Sequence, residues 1–135
     1  MSSLRRVILV TVPTHDVAVD GVTAPASTPQ GDTTAVDVDV SNPGTFDETF
    51  DVTLASDLDG TIQTLSSGAL ASGGSTTLNF SWDTTGATIG THTLTATAAH
   101  DPGDGGTDSN TANDSASTTA EVTVPATVPV IESTV

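Results

Sequence analysis

Hydrophobic and polar residues alternate with a period of two along most of this chain, and no segment repeats apolar positions at helical spacing. The cleanest case is Thr34-Ala35-Val36-Asp37-Val38-Asp39-Val40, whose valines share one face while Asp37 and Asp39 share the other. A strand with one dry and one wet face follows. Residues 16–22 alternate in the same way and run into a turn region rich in Pro and Ser, containing Pro25, Pro29 and Gly31. Asn42-Pro43-Gly44-Thr45 supplies turn chemistry, and residues 46–56 continue with Phe46, Phe50, Val52 and Leu54 available to a core. The Asp47-Glu48 pair between them predicts a bulge or bend. Asp57-Leu58-Asp59-Gly60 reads as a hairpin turn that returns residues 61–65 against the preceding strand. After a flexible stretch at 66–74, residues 77–82 put Leu78, Phe80 and Trp82 on one side. Residues 90–100 place Leu94, Ala96 and Ala98 inward against Thr93, Thr95 and Thr97, and a Gly- and Asp-rich loop at 101–114 leads to a last strand at 116–124. About seven short strands with turn signals at intervals of about ten residues predict an all-β fold, an immunoglobulin-like sandwich of two sheets. A closed eight-stranded barrel is the structural alternative.

Charge changes the picture. The chain holds fourteen aspartates, three glutamates, two arginines and no lysine, a net charge of −15 on 135 residues. Self-repulsion of that size needs an environment that tolerates it. At about 1 M salt the Debye length falls to roughly 3 Å and exposed carboxylates scarcely feel one another. The expectation is therefore a protein of a halophile, or of a virus that infects one; an acidic domain from an ordinary surface is the alternative. Nucleic acid is excluded as a partner, because phosphate binding needs clustered Lys or Arg and only Arg5 and Arg6 exist. With one Trp, three Phe and no Tyr, the core must be built from Val, Leu, Ile and Ala. The absence of Cys removes disulfides, thiolate metal sites and cysteine nucleophiles together.

Several of these residues, taken in order, resemble the CARDB-type domain, a cell-adhesion-related immunoglobulin-like module of prokaryotic surface proteins. The resemblance lies in Asp16-Val17-Ala18-Val19, in Asn42-Pro43-Gly44-Thr45 and in the strand Gly74-Ser75-Thr76-Thr77-Leu78-Asn79-Phe80-Ser81-Trp82. It continues in Gly90-Thr91-His92-Thr93-Leu94-Thr95-Ala96 and closes with Asp108-Ser109-Asn110-Thr111-Ala112-Asn113. Pro43 departs from the polar residue usual between Asn and Gly, which bears on the turn's geometry. The resemblance covers residues 15–124, implies a structural or adhesive role and carries no catalytic motif to transfer. It divides the chain into an N-terminal arm or edge strand at 1–14, the sandwich at 15–124 and a C-terminal arm at 125–135.

Candidate chemistry is sparse. His100 and the loop carboxylates Asp101, Asp104 and Asp108 have the oxygen chemistry that Ca²⁺ requires, but without the spacing of an established calcium loop a solvated acidic turn is the preferred reading of the same residues. No other cofactor is implied. The Ser, Gly-rich and His-Glu motifs of hydrolases, phosphate loops and zincins are missing, so the chain is read as a non-enzyme. Trp82 alternates with Leu78 and Phe80 and is placed in the core rather than on a sugar, and of two glycosylation sequons only that of Asn113 falls in a loop. The ends are more apolar than solvated tails, and Arg5, Arg6, Val7, Ile8 and Leu9 at one end and Val128, Val130 and Ile131 at the other are candidates for docking on neighbouring subunits. No stretch approaches the roughly 18 apolar residues of a membrane span, so membrane insertion is not expected. The apolar run after Arg6 stops at Pro13, too short for a secretory signal. These readings converge on a structural or adhesive protein that assembles with itself and with neighbouring shell or surface proteins in high salt. Without a recognisable export signal or anchor, the expectation leans to a virion component, a capsid turret, capsid decoration or tail protein. A pilus, surface-layer or adhesin module is the alternative, and a carbohydrate- or cation-dependent binding domain a further one.

Overall fold

The computed structural model describes residues 12–99 and 108–126. Eight strands follow in chain order: β1 (Ala18–Thr23), β2 (Ser27–Pro29), β3 (Thr33–Ser41), β4 (Asp51–Ser56), β5 (Gly60–Ser66), β6 (Ser75–Asp83), β7 (Gly90–Ala99) and β8 (Ser115–Thr123). They form a three-stranded sheet ordered β1-β3-β6 and a five-stranded sheet ordered β2-β8-β7-β4-β5. The chain crosses between the layers repeatedly, which gives an immunoglobulin-like sandwich rather than a closed barrel. The two layers meet along one side, where the Gln63 side chain of β5 accepts a hydrogen bond from the Ser81 N–H of β6 at 3.0 Å.

Alternation in sequence becomes burial in space. Val36, Val38 and Val40 of β3 are fully buried and face Phe80 and Trp82 of β6 in the same layer and Val52, Leu54, Leu94, Ala96 and Val122 of the other. Asp37 and Asp39, between those valines, are exposed. The alternation of β6, β7 and β8 matches the expected pattern, with β6 running from Ser75 to Asp83, beyond the expected 77–82. At the Asp57–Gly60 turn only Gly60 takes a positive φ, +84°, so the hairpin is a three-residue loop closing on a left-handed glycine.

Three features differ from the sequence reading. The region at 24–32, expected as loop, contains β2, which pairs in parallel with β8 as Ser27↔Glu121, Thr28↔Val122 and Pro29↔Thr123. Three residues ending in Pro carry no legible period, so only the distant partner strand creates this element. β1 starts at Ala18, with Val17, Ala18 and Val19 all buried in succession and a register shift between Val19 and Gly21 that breaks strict alternation. Phe46, expected in the core, is exposed and stacks flat on the His15 ring, with centroids 4.1 Å apart.

The Phe46 outcome follows from Asn42, which is wholly buried at the end of β3. Its backbone N–H donates to Gly74 and its carbonyl accepts from Gly73, at 2.9 and 2.8 Å. Its side-chain nitrogen donates to the carbonyls of Phe46 (2.6 Å) and Leu70 (3.1 Å), and its side-chain oxygen accepts the N–H of Gly44. The segment 42–46 is thereby wound round one amide, leaving Phe46 outside. Gly44 is required for another reason: a Cβ there would lie 2.6 Å from the Thr14 carbonyl and 2.7 Å from the Asp16 nitrogen, both backbone atoms.

Asn42→Leu should lower stability by at least about 1–3 kcal/mol, because it strands buried carbonyls and an N–H that no water reaches. Gly44→Ala should cost a similar amount, roughly 1–3 kcal/mol, through overpacking against backbone that cannot yield. Urea unfolding followed by circular dichroism checks both; an unchanged midpoint in Asn42→Leu would refute the hub.

Candidate functional site

The end of the sandwich where β1 begins and β8 begins gathers the chain's unusual polar groups. The segment 14–16 is laid against Gly44 and Thr45 by the Thr45 N–H to Thr14 carbonyl bond (2.8 Å) and the Thr14 N–H to Thr45 hydroxyl bond (2.8 Å). A second loop reaches the same segment from far along the chain: the Ser109 N–H donates to the His15 carbonyl at 2.7 Å, and His15 and Asp108 form a parallel bridge. A 3-10 turn, Thr111–Asn113, follows, capped by the Asn110 side chain accepting from Ala112. The Asp114 carbonyl then accepts from Ala98 of β7 at 2.8 Å.

This scaffold brings Asp16, Asp108 and Asp114 together, with one carboxylate oxygen from each lying within 4.8 Å of the others. The Asn113 side chain donates to Asp16 Oδ2 at 3.3 Å, and the Asn110 N–H donates to Asp108 Oδ1 at 2.9 Å. Burial pushes the Asp16 carboxyl up from its ordinary value; the Asn113 hydrogen bond opposes that rise, and the charge of Asp108 adds to it. Next to it, His15 Nδ1 hydrogen-bonds the carboxylate of Glu48, whose side chain is fully buried, while the His15 ring lies on Phe46. Glu48 also exchanges two backbone hydrogen bonds with Leu70. The expected bend at Asp47-Glu48 is thus the point where a glutamate turns inward.

At the other end, His92 is buried between Ser56 and Thr88. Its Nε2–H donates to the Thr88 carbonyl at 2.6 Å, and the Ser56 hydroxyl donates to Nδ1 at 2.6 Å while its oxygen accepts the N–H groups of Leu58 and Asp59. A Ser and a His in contact would suggest nucleophilic catalysis, but both are sealed from solvent and fully used in pinning the β4–β5 hairpin to the start of β7. Trp82 meets His92 edge to face at 5.2 Å and is buried, as its alternation predicted. A shallow cavity of about 420 Å³ opens beside it, lined by Asp59, Thr61, Ile62, Ser81, Trp82 and Thr85.

Of the residues singled out from the sequence, Asp108 lies in the carboxylate cluster. His100, Asp101, Asp104, Arg5, Arg6, Val7, Ile8, Leu9, Val128, Val130 and Ile131 lie outside the described residues. Asn113, the candidate glycosylation site, is half-buried with its amide nitrogen turned to Asp16. Asp16 and Asp114 were not legible as partners of Asp108; sequence distance hides a contact made by the fold.

A two-layer sandwich, antiparallel but for the β2–β8 pair, with no catalytic constellation among the described residues defines an immunoglobulin-like module. The chain belongs to the CARDB family, whose model matches residues 14–118; it is an adhesion-related, non-catalytic family of cell-surface domains. No curated protein matches the chain. Among solved structures it is similar to the CARDB domain of a Pyrococcus furiosus protein, in complex with di-metal ions, with a TM-score of 0.69 and 19% identity over 85% of this chain and 99% of that one. It is also similar to residues 272–376 of a cell surface protein from Methanosarcina acetivorans, with a TM-score of 0.63 and 24% identity over 81% of this chain and 92% of that one. A β-glucosidase from Erythrobacter marinus contains a similar fold, with a TM-score of 0.57 and 14% identity, matching 80% of this chain but only 15% of the enzyme. These likenesses concern the fold. Among the described residues no helix is long and apolar enough to cross a membrane.

The hairpin end gives a pH prediction. Asp59 accepts both the hydroxyl (2.6 Å) and the N–H (3.0 Å) of Thr88, and these bonds hold its carboxyl below the ordinary value. A depressed folded value contributes stability that is present above the ordinary carboxylate value and lost as pH falls through the folded one. Thr88→Val, which removes the hydroxyl, should raise the Asp59 titration toward its ordinary value in ¹³C-detected NMR and flatten that part of the acid limb; an unmoved Asp59 titration would contradict the assignment.

Proposed function

We propose that this chain is a non-enzymatic structural or adhesive module of an exterior surface, working in high salt by association with other protein subunits, other copies of itself among them. The observation that carries this reading is the way its surface charge is held. Asp20, Asp37, Asp39, Asp51 and Asp83 occupy exposed strand positions, and among the described residues no Lys or Arg stands against them. Their partners, where they have them, are neutral: Thr77 donates to Asp39 at 2.6 Å, Ser41 to Asp20 at 3.1 Å and the Thr85 N–H to Asp83 at 2.9 Å. Such a surface is least strained where mobile cations screen it.

Association has a structural basis in the sheet edges. Among the described residues the backbone ladder of β5 pairs with β4 alone, and its sequence Gly-Thr-Ile-Gln-Thr-Leu-Ser contains none of the charges or prolines that commonly blunt an edge. Addition of a strand from a neighbouring subunit there would satisfy its free backbone groups. Placement on a cell surface is supported by the family and by the Methanosarcina acetivorans domain. The virion setting, as capsid turret, decoration or tail protein, has no support beyond the sequence expectation.

Light scattering and circular dichroism at about 2 M and about 0.15 M NaCl test the reading together, since screening differs several-fold between them. A rise in melting temperature and a defined oligomer at high salt are expected. Thr61→Lys, which places a charge at an exposed position of β5, should weaken the oligomer without unfolding the monomer. A monomer indifferent to salt would overturn the proposal.

A further inference from the structure

We propose that Asp16, Asp108 and Asp114, with the side-chain oxygen of Asn113, form a binding site for a hard divalent cation of the calcium type that fastens the segment before β1 to the start of β8.

The geometry suits the ion. The three carboxylates each bring an oxygen within 4.8 Å of the others, and two oxygens on opposite sides of a Ca²⁺ ion at about 2.4 Å stand about 4.8 Å apart. Mg²⁺ demands near-ideal octahedral geometry at about 2.1 Å and dehydrates reluctantly, so an irregular set of protein oxygens suits Ca²⁺ better. Every donor is oxygen, with no thiolate and no imidazole in the set, which selects hard cations over zinc or copper.

Clustered carboxylates on a solvated turn would mean little, but this cluster is partly withdrawn from solvent, with Asp16 buried and Asp108 and Asp114 half-buried. Asp16 is 8% exposed, and its Oδ1 is sealed from solvent without a hydrogen-bond partner. Asp108 Oδ2 and the amide oxygen of Asn113 are sealed and unpartnered in the same way. The hydrogen bonds that do form fall on the other carboxylate oxygens, Asp16 Oδ2 and Asp108 Oδ1. An uncompensated buried carboxylate oxygen is costly, and a fold that repeats the cost on adjacent side chains requires a compensating positive charge. The described residues supply none: they include no Lys or Arg, and the neighbouring imidazole of His15 is engaged by Glu48. A divalent cation would meet the charge and the orphaned oxygens at once. A proton shared between Asp16 and Asp108 would relieve part of the charge and leave the Asn113 oxygen unanswered.

The site would act as a staple. Asp16 leads into β1 of the three-stranded sheet, and Asp114 leads into β8 of the five-stranded one, so one ion ties the two layers at the end where the β7–β8 connection closes. Buried charges are screened by salt far less than exposed ones, so the site would persist in brine that masks the surface aspartates.

The test uses the full chain, stripped with EDTA and titrated with CaCl₂ at neutral pH in about 2 M NaCl, by calorimetry and by thermal unfolding. Saturable binding in the range of about 10⁻⁴–10⁻³ M, as for extracellular calcium modules, with a rise in melting temperature, is expected. Asp108→Asn and Asp114→Asn should each weaken binding by about tenfold or more. Asp37→Asn, on the exposed face of β3, should leave it unchanged. Asp108 and Asp114 are both half-buried and lie on different stretches of the loop, so either variant carries the test if the other fails to fold. Absence of saturable binding up to about 10 mM Ca²⁺ would overturn the site, as would an equal calcium response in Asp108→Asn, Asp114→Asn and Asp37→Asn. An acid-induced rise in melting temperature with no calcium response would assign the cluster to a shared proton instead, and Mg²⁺ binding as tightly as Ca²⁺ would overturn the choice of ion.

Discussion

A single buried amide organises one end of this protein. Asn42 has no exposure, yet each of its backbone and side-chain polar groups is hydrogen-bonded, to residues of the two stretches 44–46 and 70–74. A polar network satisfied to this degree specifies a geometry in a way that valine packing does not, because an apolar contact tolerates sliding and a set of directional bonds does not. The consequences spread outward. The turn at 42–45 presents Gly44 to the segment 14–16 at a distance only a glycine permits, and that segment delivers His15 to Glu48 and Asp16 to the carboxylate cluster. The polar end of the sandwich is thus a chain of dependences that begins with one side chain.

The core and the polar end are built on different rules. Between the sheets, Val, Leu, Ala, Phe and Trp fill most of the space, and the largest buried polar side chain among the strands, His92, is held by Ser56 and Thr88. Outside, carboxylates lie beside threonine and serine hydroxyls rather than beside cations. A hydroxyl can satisfy a carboxylate's geometry while leaving its charge intact. The described surface is therefore locally well bonded while its carboxylate charges stand without cationic side-chain partners.

How much of this was legible follows from the range of the forces involved. Alternation is local and survives in sequence, so β3, β6, β7 and β8 and their buried faces could be read directly. Turn chemistry is local too, and Asn42-Pro43-Gly44-Thr45 and Asp59-Gly60 stood out for that reason. β2 was not legible, because its only cause is the parallel partner Glu121–Thr123, some ninety residues away. Phe46 was assigned inward on hydrophobicity, and lost that place to the directional demands of Asn42. The inward Glu48 and the meeting of Asp16 with Asp108 and Asp114 join residues whose sequence separation carries no signal. What resembled a solvated acidic loop around Asp108 is, on its folded side, a sealed pocket of oxygens.

The parallel pairing of β2 with β8 has a mechanical consequence. β2 stands near the beginning of the described chain and β8 near its end, and the two point the same way. Backbone bonds close both ends of the clasp, from Glu121 N–H to the Ala26 carbonyl and from Gln30 N–H to the Thr123 carbonyl, each at 2.9 Å. Tension drawn through β2 toward the N-terminus and through β8 toward the C-terminus pulls parallel neighbours in opposite directions along their length. Their bonds are then loaded in shear and must yield together, whereas an antiparallel hairpin pulled at its open end peels one bond at a time. In a domain strung between two neighbours, this short clasp would resist in shear once the load had passed β1, which precedes β2 and pairs with β3.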